Sequence, residues 1–108
     1  MDAEDRKEQR KHERFPFVED VLVDGTKCTT GDISEGGLYI SAIHAFEENK
    51  EIDVTILLKG EKVTVKANVR YCQPGIGLGI KFVDLSDEQK VKIEEVIKNL
   101  ADKSTEQQ

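Results

Sequence analysis

The sequence predicts a mainly β domain, an antiparallel barrel or sandwich followed by one C-terminal helix. Three observations predict it. Apolar residues recur at every second position in runs between residues 21 and 82, glycine-bearing turns separate those runs, and the period becomes helical after residue 86. The chain has 108 residues, the length of one domain with one core. Its 37% of hydrophobic residues can fill that core, while 35% of charged residues puts much of the surface in water.

Residues 1–14 contain no aliphatic side chain larger than Ala3 apart from Met1, so this stretch has no face to bury and is expected to be a flexible arm. Val21 and Val23 alternate before Asp24-Gly25, a dipeptide suited to a tight hairpin. After Thr29-Thr30 comes the polar, glycine-rich segment 31–37. Leu38, Ile40 and Ala42 then alternate with Tyr39 and Ser41. Ile52, Val54, Ile56 and Leu58 keep a period of two, and so do Val63, Val65, Ala67, Val69 and Tyr71, with Lys59-Gly60 as the turn between them. Pro74-Gly75 interrupts the next link, and Leu78, Ile80 and Phe82 resume the alternation. Ser86-Asp87-Glu88-Gln89 has the form of a helix capping box, and Ile93, Val96, Ile97 and Leu100 follow on one helical stripe. That stripe is expected to pack on an open barrel end rather than dock a partner. The expected organisation is an arm over 1–14, a barrel with its helix over 15–101, and a polar tail over 102–108.

Composition excludes several classes of function. With 16 Lys and Arg against 22 Asp and Glu the net charge is −6, which disfavours binding to a nucleic-acid polymer. No window approaches the roughly 18 apolar residues of a membrane span, and residues 1–14 lack the apolar stretch of a signal peptide. Cys28 and Cys72 are too few for a disulfide scaffold or a self-contained zinc site and read as reduced thiols in a cytoplasmic protein. Neither a catalytic constellation nor a cofactor motif is recognisable around the two histidines, His12 and His44. Gly75 to Gly79 lacks the strand–helix setting of a phosphate loop and reads as a strand whose glycines permit close backbone approach. No catalytic residue, metal site or cofactor is expected.

A stronger signal is a pair of segments. Between Arg6 and Arg14 there are five basic residues (Arg6, Lys7, Arg10, Lys11 and Arg14) against two acidic ones, a local excess of +3. Arg10 and Arg14 stand four residues apart at the end of the arm, and Asp32-Ile33-Ser34-Glu35-Gly36-Gly37 supplies a carboxylate, a hydroxyl and glycines in a turn. The planar fork of arginine can hold a phosphate or the O6/N7 edge of guanine with two hydrogen bonds. A carboxylate accepts from the N1–H and N2–H₂ donors of guanine, and glycine lets the backbone approach a base closely. Each segment alone is ordinary, one a solvated charge run and the other a turn. Their order, with room for one hairpin between Arg14 and Asp32, points to a guanine-bearing phosphate ligand.

The sequence resembles the PilZ domain family, bacterial receptor modules for cyclic di-GMP. The family is marked by R-x-x-x-R in an N-terminal arm, here Arg10 and Arg14, and by [D/N]-x-S-x-x-G after the first hairpin, here Asp32, Ser34 and Gly37. The likeness continues through Gly37-Leu38-Tyr39-Ile40, Asn68-Val69-Arg70-Tyr71 and Gly77 to Phe82, and covers about residues 10 to 100. It implies a six-stranded antiparallel β-barrel with a C-terminal helix, across whose mouth the arm closes on the dinucleotide. By position, Arg10 and Arg14 would grip phosphate and guanine, Asp32 and Ser34 would bond a guanine edge, and Gly37 would allow close approach. Lys11, Arg6 and Gly79 are supporting candidates. Gln9, which stands before the first motif arginine, points to one bound ligand rather than a stacked pair. The resemblance also implies a downstream protein partner, to which the ordered arm would signal. Two other readings compete with a receptor. One is a PilZ-like adaptor that works through protein contacts with weak or no nucleotide binding. The other is a single-stranded nucleic-acid binder, poorly served by six aromatics and a negative charge.

Overall fold

The computed structural model describes residues 13–58 and 60–106. In chain order they form β1 (Phe15–Pro16), β2 (Asp20–Val23), β3 (Thr26–Ser34), β4 (Gly37–Ser41), β5 (Glu51–Leu58), β6 (Glu61–Gln73), β7 (Gly77–Val83) and α1 (Asp87–Glu106). Strands β3, β2, β5, β6, β7 and β4 are neighbours in that order, and β4 pairs back onto β3. Six antiparallel strands therefore close a barrel, and of the two forms the periodicity allowed, the barrel is the one adopted. The extra strand, β1, lies on β3 beyond the end of β2, with Phe15 opposite Ile33 and Pro16 opposite Asp32.

The turns form where the sequence placed them, for the reasons it gave. Asp24 and Gly25 both have positive φ, 49° and 86°, which suits a tight hairpin turn whose twist matches the flanking strands. Leu58 faces Glu61 across the β5–β6 turn. The period-two residues point inward: Val21, Val23, Ile52, Val54, Ile56, Leu58, Val65, Ala67 and Val69 are all buried, as are Leu38, Ile40, Leu78, Ile80 and Phe82. Helix α1 adds Ile93 and Val96 to this core, with Ile97 and Leu100 packed against it.

The helix starts at the capping box. Gln89 N–H donates to Ser86 Oγ at 3.1 Å, and Ser86 N–H donates to Gln89 Oε1 at 3.0 Å. Gln89 Nε2 also donates to the carbonyl of Thr64 at 3.0 Å, so the cap fastens the helix to β6. Ser86→Ala should cost about 1 kcal/mol and lower the melting temperature by about 5 °C, as read by circular dichroism. The helix runs to Glu106, past the boundary at 101 where the sequence reading began a polar tail. The reason is local: residues 101–106 contain no glycine or proline to stop it, and Lys103 suits the negative end of the helix dipole.

A second departure concerns Tyr71, which the alternation placed with Val69 among inward residues. The β6–β7 register pairs Val69 with Ile80 and then Tyr71 with Gly79, so Arg70 is an extra residue, a β-bulge. The bulge reverses the alternation: Tyr71 is 46% exposed on the outer face, while Cys72 packs against the core. A matching bulge lies in β3, where Thr30 pairs with Ile40 and Asp32 with Tyr39, leaving Gly31 extra. Cys28 and Thr30 point inward before it and Ile33 after it, so Asp32 is turned outward.

Candidate functional site

The candidate site begins where the chain enters β1. Phe17 N–H donates to the carbonyl of Gly31 at 3.1 Å. The buried Thr30 hydroxyl donates to the carbonyl of Phe17 at 2.5 Å and accepts from the N–H of Glu19 at 2.8 Å. These bonds pin residues 17–19 to β3 and bring the preceding Arg14 to the outward-turned Asp32. Arg14 Nε donates to Asp32 Oδ1 at 2.7 Å across 18 residues of chain. Both side chains remain partly open to solvent, 45% and 33% exposed, so the pair has unused donors and acceptors to offer.

Ser34 and Gly37 sit at the two ends of the β3–β4 turn. Ser34 is 1% exposed. Its Oγ accepts from the N–H groups of Gly36 and Gly37, both at 3.2 Å. The hydroxyl thus holds the turn in shape, where the resemblance gave it a guanine edge to bond. Gly37 lies opposite Lys81 on β7, where an added Cβ would sit 1.9 Å from the carbonyl oxygen of Ile80. Its lack of a side chain is required by the barrel seam itself.

A cavity of about 300 Å³ opens beside this turn. Arg14, Ser34, Gly36 and Gly37 line one side, while Arg70, Tyr71, Gly79, Ile80 and Lys81 line the sheet side. The Tyr71 ring covers Gly79, whose added Cβ would lie 2.5 Å from the ring carbon Cε2. Gly79 is therefore the recess in which the tyrosine lies, which explains the glycine in an otherwise regular strand.

Of the site residues expected from sequence, Arg14, Asp32, Ser34, Gly37 and Gly79 gather around this one cavity. Arg6, Arg10 and Lys11 lie outside the described residues. The structure adds Arg70, Tyr71 and Lys81. Sequence reasoning missed them as site residues because Arg70 and Tyr71 are placed by the bulge and Lys81 by its pairing opposite Gly37, neither of which period-two reading can see.

Among the described residues no cluster of three or more His, Cys, Asp or Glu is placed to hold a metal. No described helix is long and apolar enough to cross a membrane. Both cysteines are free, and burial pushes the Cys28 thiol up from its ordinary range.

The chain is thus a closed small β-barrel with a cavity beside the sharp β3–β4 turn. The PilZ domain family model matches residues 6–99, and the chain belongs to that family. Comparison with curated proteins gave no match. Among solved structures, the PilZ domain of CeSA from a cellulose-synthesizing bacterium is similar at 23% identity, covering 82% of this chain and 98% of that one, with a TM-score of 0.63. The Bacillus subtilis inhibitor of motility (MotI/DgrA) is similar at 16% identity over 88% of this chain and 52% of its own, TM-score 0.72. The Borreliella burgdorferi PlzA protein, solved in complex with c-di-GMP, is similar at 19% identity over 86% of this chain and 43% of its own, TM-score 0.54.

Proposed function

We propose that the chain is a cytoplasmic bacterial receptor for cyclic di-GMP that binds one ligand and signals to a protein partner. The observation that carries this reading is the contact between Arg14 and Asp32, which joins the two motifs at the edge of one cavity. The nucleotide in the PlzA complex supports the choice of ligand. Arg10 and Arg14 supply forked donors for phosphate and the guanine O6/N7 edge, and Asp32 accepts from guanine N1–H and N2–H₂. Ser34 and Gly37 hold the turn that presents Asp32, and Tyr71 offers a flat face to a purine. Lys11 and Arg6 add positive charge near the phosphates. Binding holds the segment ending at Arg14 across the cavity and so changes the surface shown to a partner.

Hydrogen bonds to charged groups contribute about 1.5–3 kcal/mol each, and micromolar affinity requires about 8 kcal/mol net, so a few such bonds suffice. Titration calorimetry with cyclic di-GMP, with GTP and cyclic di-AMP as controls, tests the proposal. Selective binding near one ligand per chain is the expected result. An absence of both heat and thermal shift overturns it in favour of an adaptor that works through protein contacts alone.

A further inference from the structure

Among the described residues, the charged motif groups Arg14 and Asp32 stand on one side of the cavity. The sheet side holds two more cations that no motif names. Arg70 is the extra residue of the β6 bulge, and Lys81 lies opposite Gly37 on one flank and Asn68 on the other. Bulges re-aim side chains at a cost to the ladder. This one turns Tyr71 outward next to Arg70, on the wall of the same cavity.

The charge there runs against the rest of the protein. The whole chain has 22 acidic residues to 16 basic, yet Arg14, Arg70 and Lys81 line this cavity without one carboxylate among its lining residues. Another depression, on the outer face of β2 and β5, sets Glu19 and Asp20 against Lys27 and Lys62. A third, under α1, sets Glu35 and Glu94 against Lys90. At the motif turn Arg14 is paired with Asp32, whereas Arg70 and Lys81 have no carboxylate among the residues lining the cavity. The cavity reaches from the motif turn across β4 and β7 to Arg70 on β6. Cations on both sides of one cavity suit a ligand carrying two phosphates better than one carrying a single anionic group.

We infer that Arg70 and Lys81 form a second anion subsite, which holds the phosphate of the dinucleotide farther from Arg14 and makes the cavity selective for doubly charged ligands. This inference rests on the receptor reading above. Glutamine at each position removes the charge while keeping length and polarity. In calorimetry with cyclic di-GMP, Arg70→Gln and Lys81→Gln should each weaken binding three- to tenfold, and the double variant at least thirtyfold. The double variant should also lose about one to two units of the slope of log Kd against log salt. Lys66→Gln, on the same strand but outside the cavity, should leave both affinity and slope as in the unaltered chain.

Inorganic pyrophosphate, followed by amide NMR shifts at Gly36, Gly37 and Lys81, probes the subsite independently of the nucleotide. If the unaltered chain binds cyclic di-GMP and the double variant binds it equally well, the second subsite is wrong and the receptor reading stands. If cyclic di-GMP fails but pyrophosphate shifts these amides and the double variant abolishes the shifts, the receptor reading and the dinucleotide subsite both fall, and Arg70 and Lys81 are left as a site for another anion. Pyrophosphate shifts that persist in the double variant overturn the subsite in either case.

Discussion

Replacing Gly37 by alanine should lower the melting temperature by at least about 10 °C, a loss of more than about 2 kcal/mol for a domain of this size. The added Cβ would meet the Ile80 carbonyl oxygen at 1.9 Å, its carbon at 2.9 Å and the Lys81 Cα at 3.1 Å. All three are backbone atoms, so no side-chain rotation relieves the overlap. Relief requires β4 and β7 to part at the Gly37–Lys81 pair, which loosens the barrel at the turn carrying Ser34. Overpacking in cores costs about 1–3 kcal/mol, sometimes more, and an overlap with backbone belongs at the upper end. Gly79→Ala makes the informative contrast. The three atoms nearest its Cβ would all belong to the Tyr71 side chain, the first at 2.5 Å, and that ring can swing into solvent. Thermal denaturation should therefore separate the two alanines by several degrees, and equal melting temperatures would refute the seam argument.

Arg14→Ala and Asp32→Ala should each weaken cyclic di-GMP binding by well over tenfold without unfolding the domain. An exposed ion pair contributes only about 0–1 kcal/mol to stability, so both variants should melt within about 3 °C of the unaltered chain. Binding is affected more, because each variant removes charged hydrogen bonds to the ligand, worth about 1.5–3 kcal/mol apiece. The two effects should be less than additive. Asp32 accepts from Arg14 Nε at 2.7 Å and so also orients the guanidinium, and residues acting as a unit do not contribute independently. Calorimetry on both single variants and the double variant measures this coupling. Unchanged affinity in both single variants would remove the site assignment.

Much of the fold was legible because burial in a closed barrel imposes a strict alternation, and the strands obey it from Val21 to Val23 and from Ile52 to Leu58. The capping box was legible because both partners lie within four residues of each other. The motif half of the site was readable for a related reason: Asp32, Ser34 and Gly37 make a turn whose contacts are local. The sheet half was not. Arg70, Tyr71 and Lys81 come to the cavity through strand register, which depends on how distant segments pair and leaves no mark in the local pattern. The same limit hid the reason for Gly37, since the atoms that exclude a side chain belong to residues 80 and 81.

The two single-residue insertions at Gly31 and Arg70 also bear on how such a surface can arise or be lost. A point substitution alters one side chain and leaves its neighbours facing as before. Losing the single codon for residue 31 or 70 would make Thr30 and Asp32, or Val69 and Tyr71, consecutive ladder positions, keeping Asp32 and Tyr71 outward while removing the local bend of the strand and, at 70, the arginine itself. Relatives that share the barrel but lack one of these extra residues would be expected to keep the fold while presenting a different exterior.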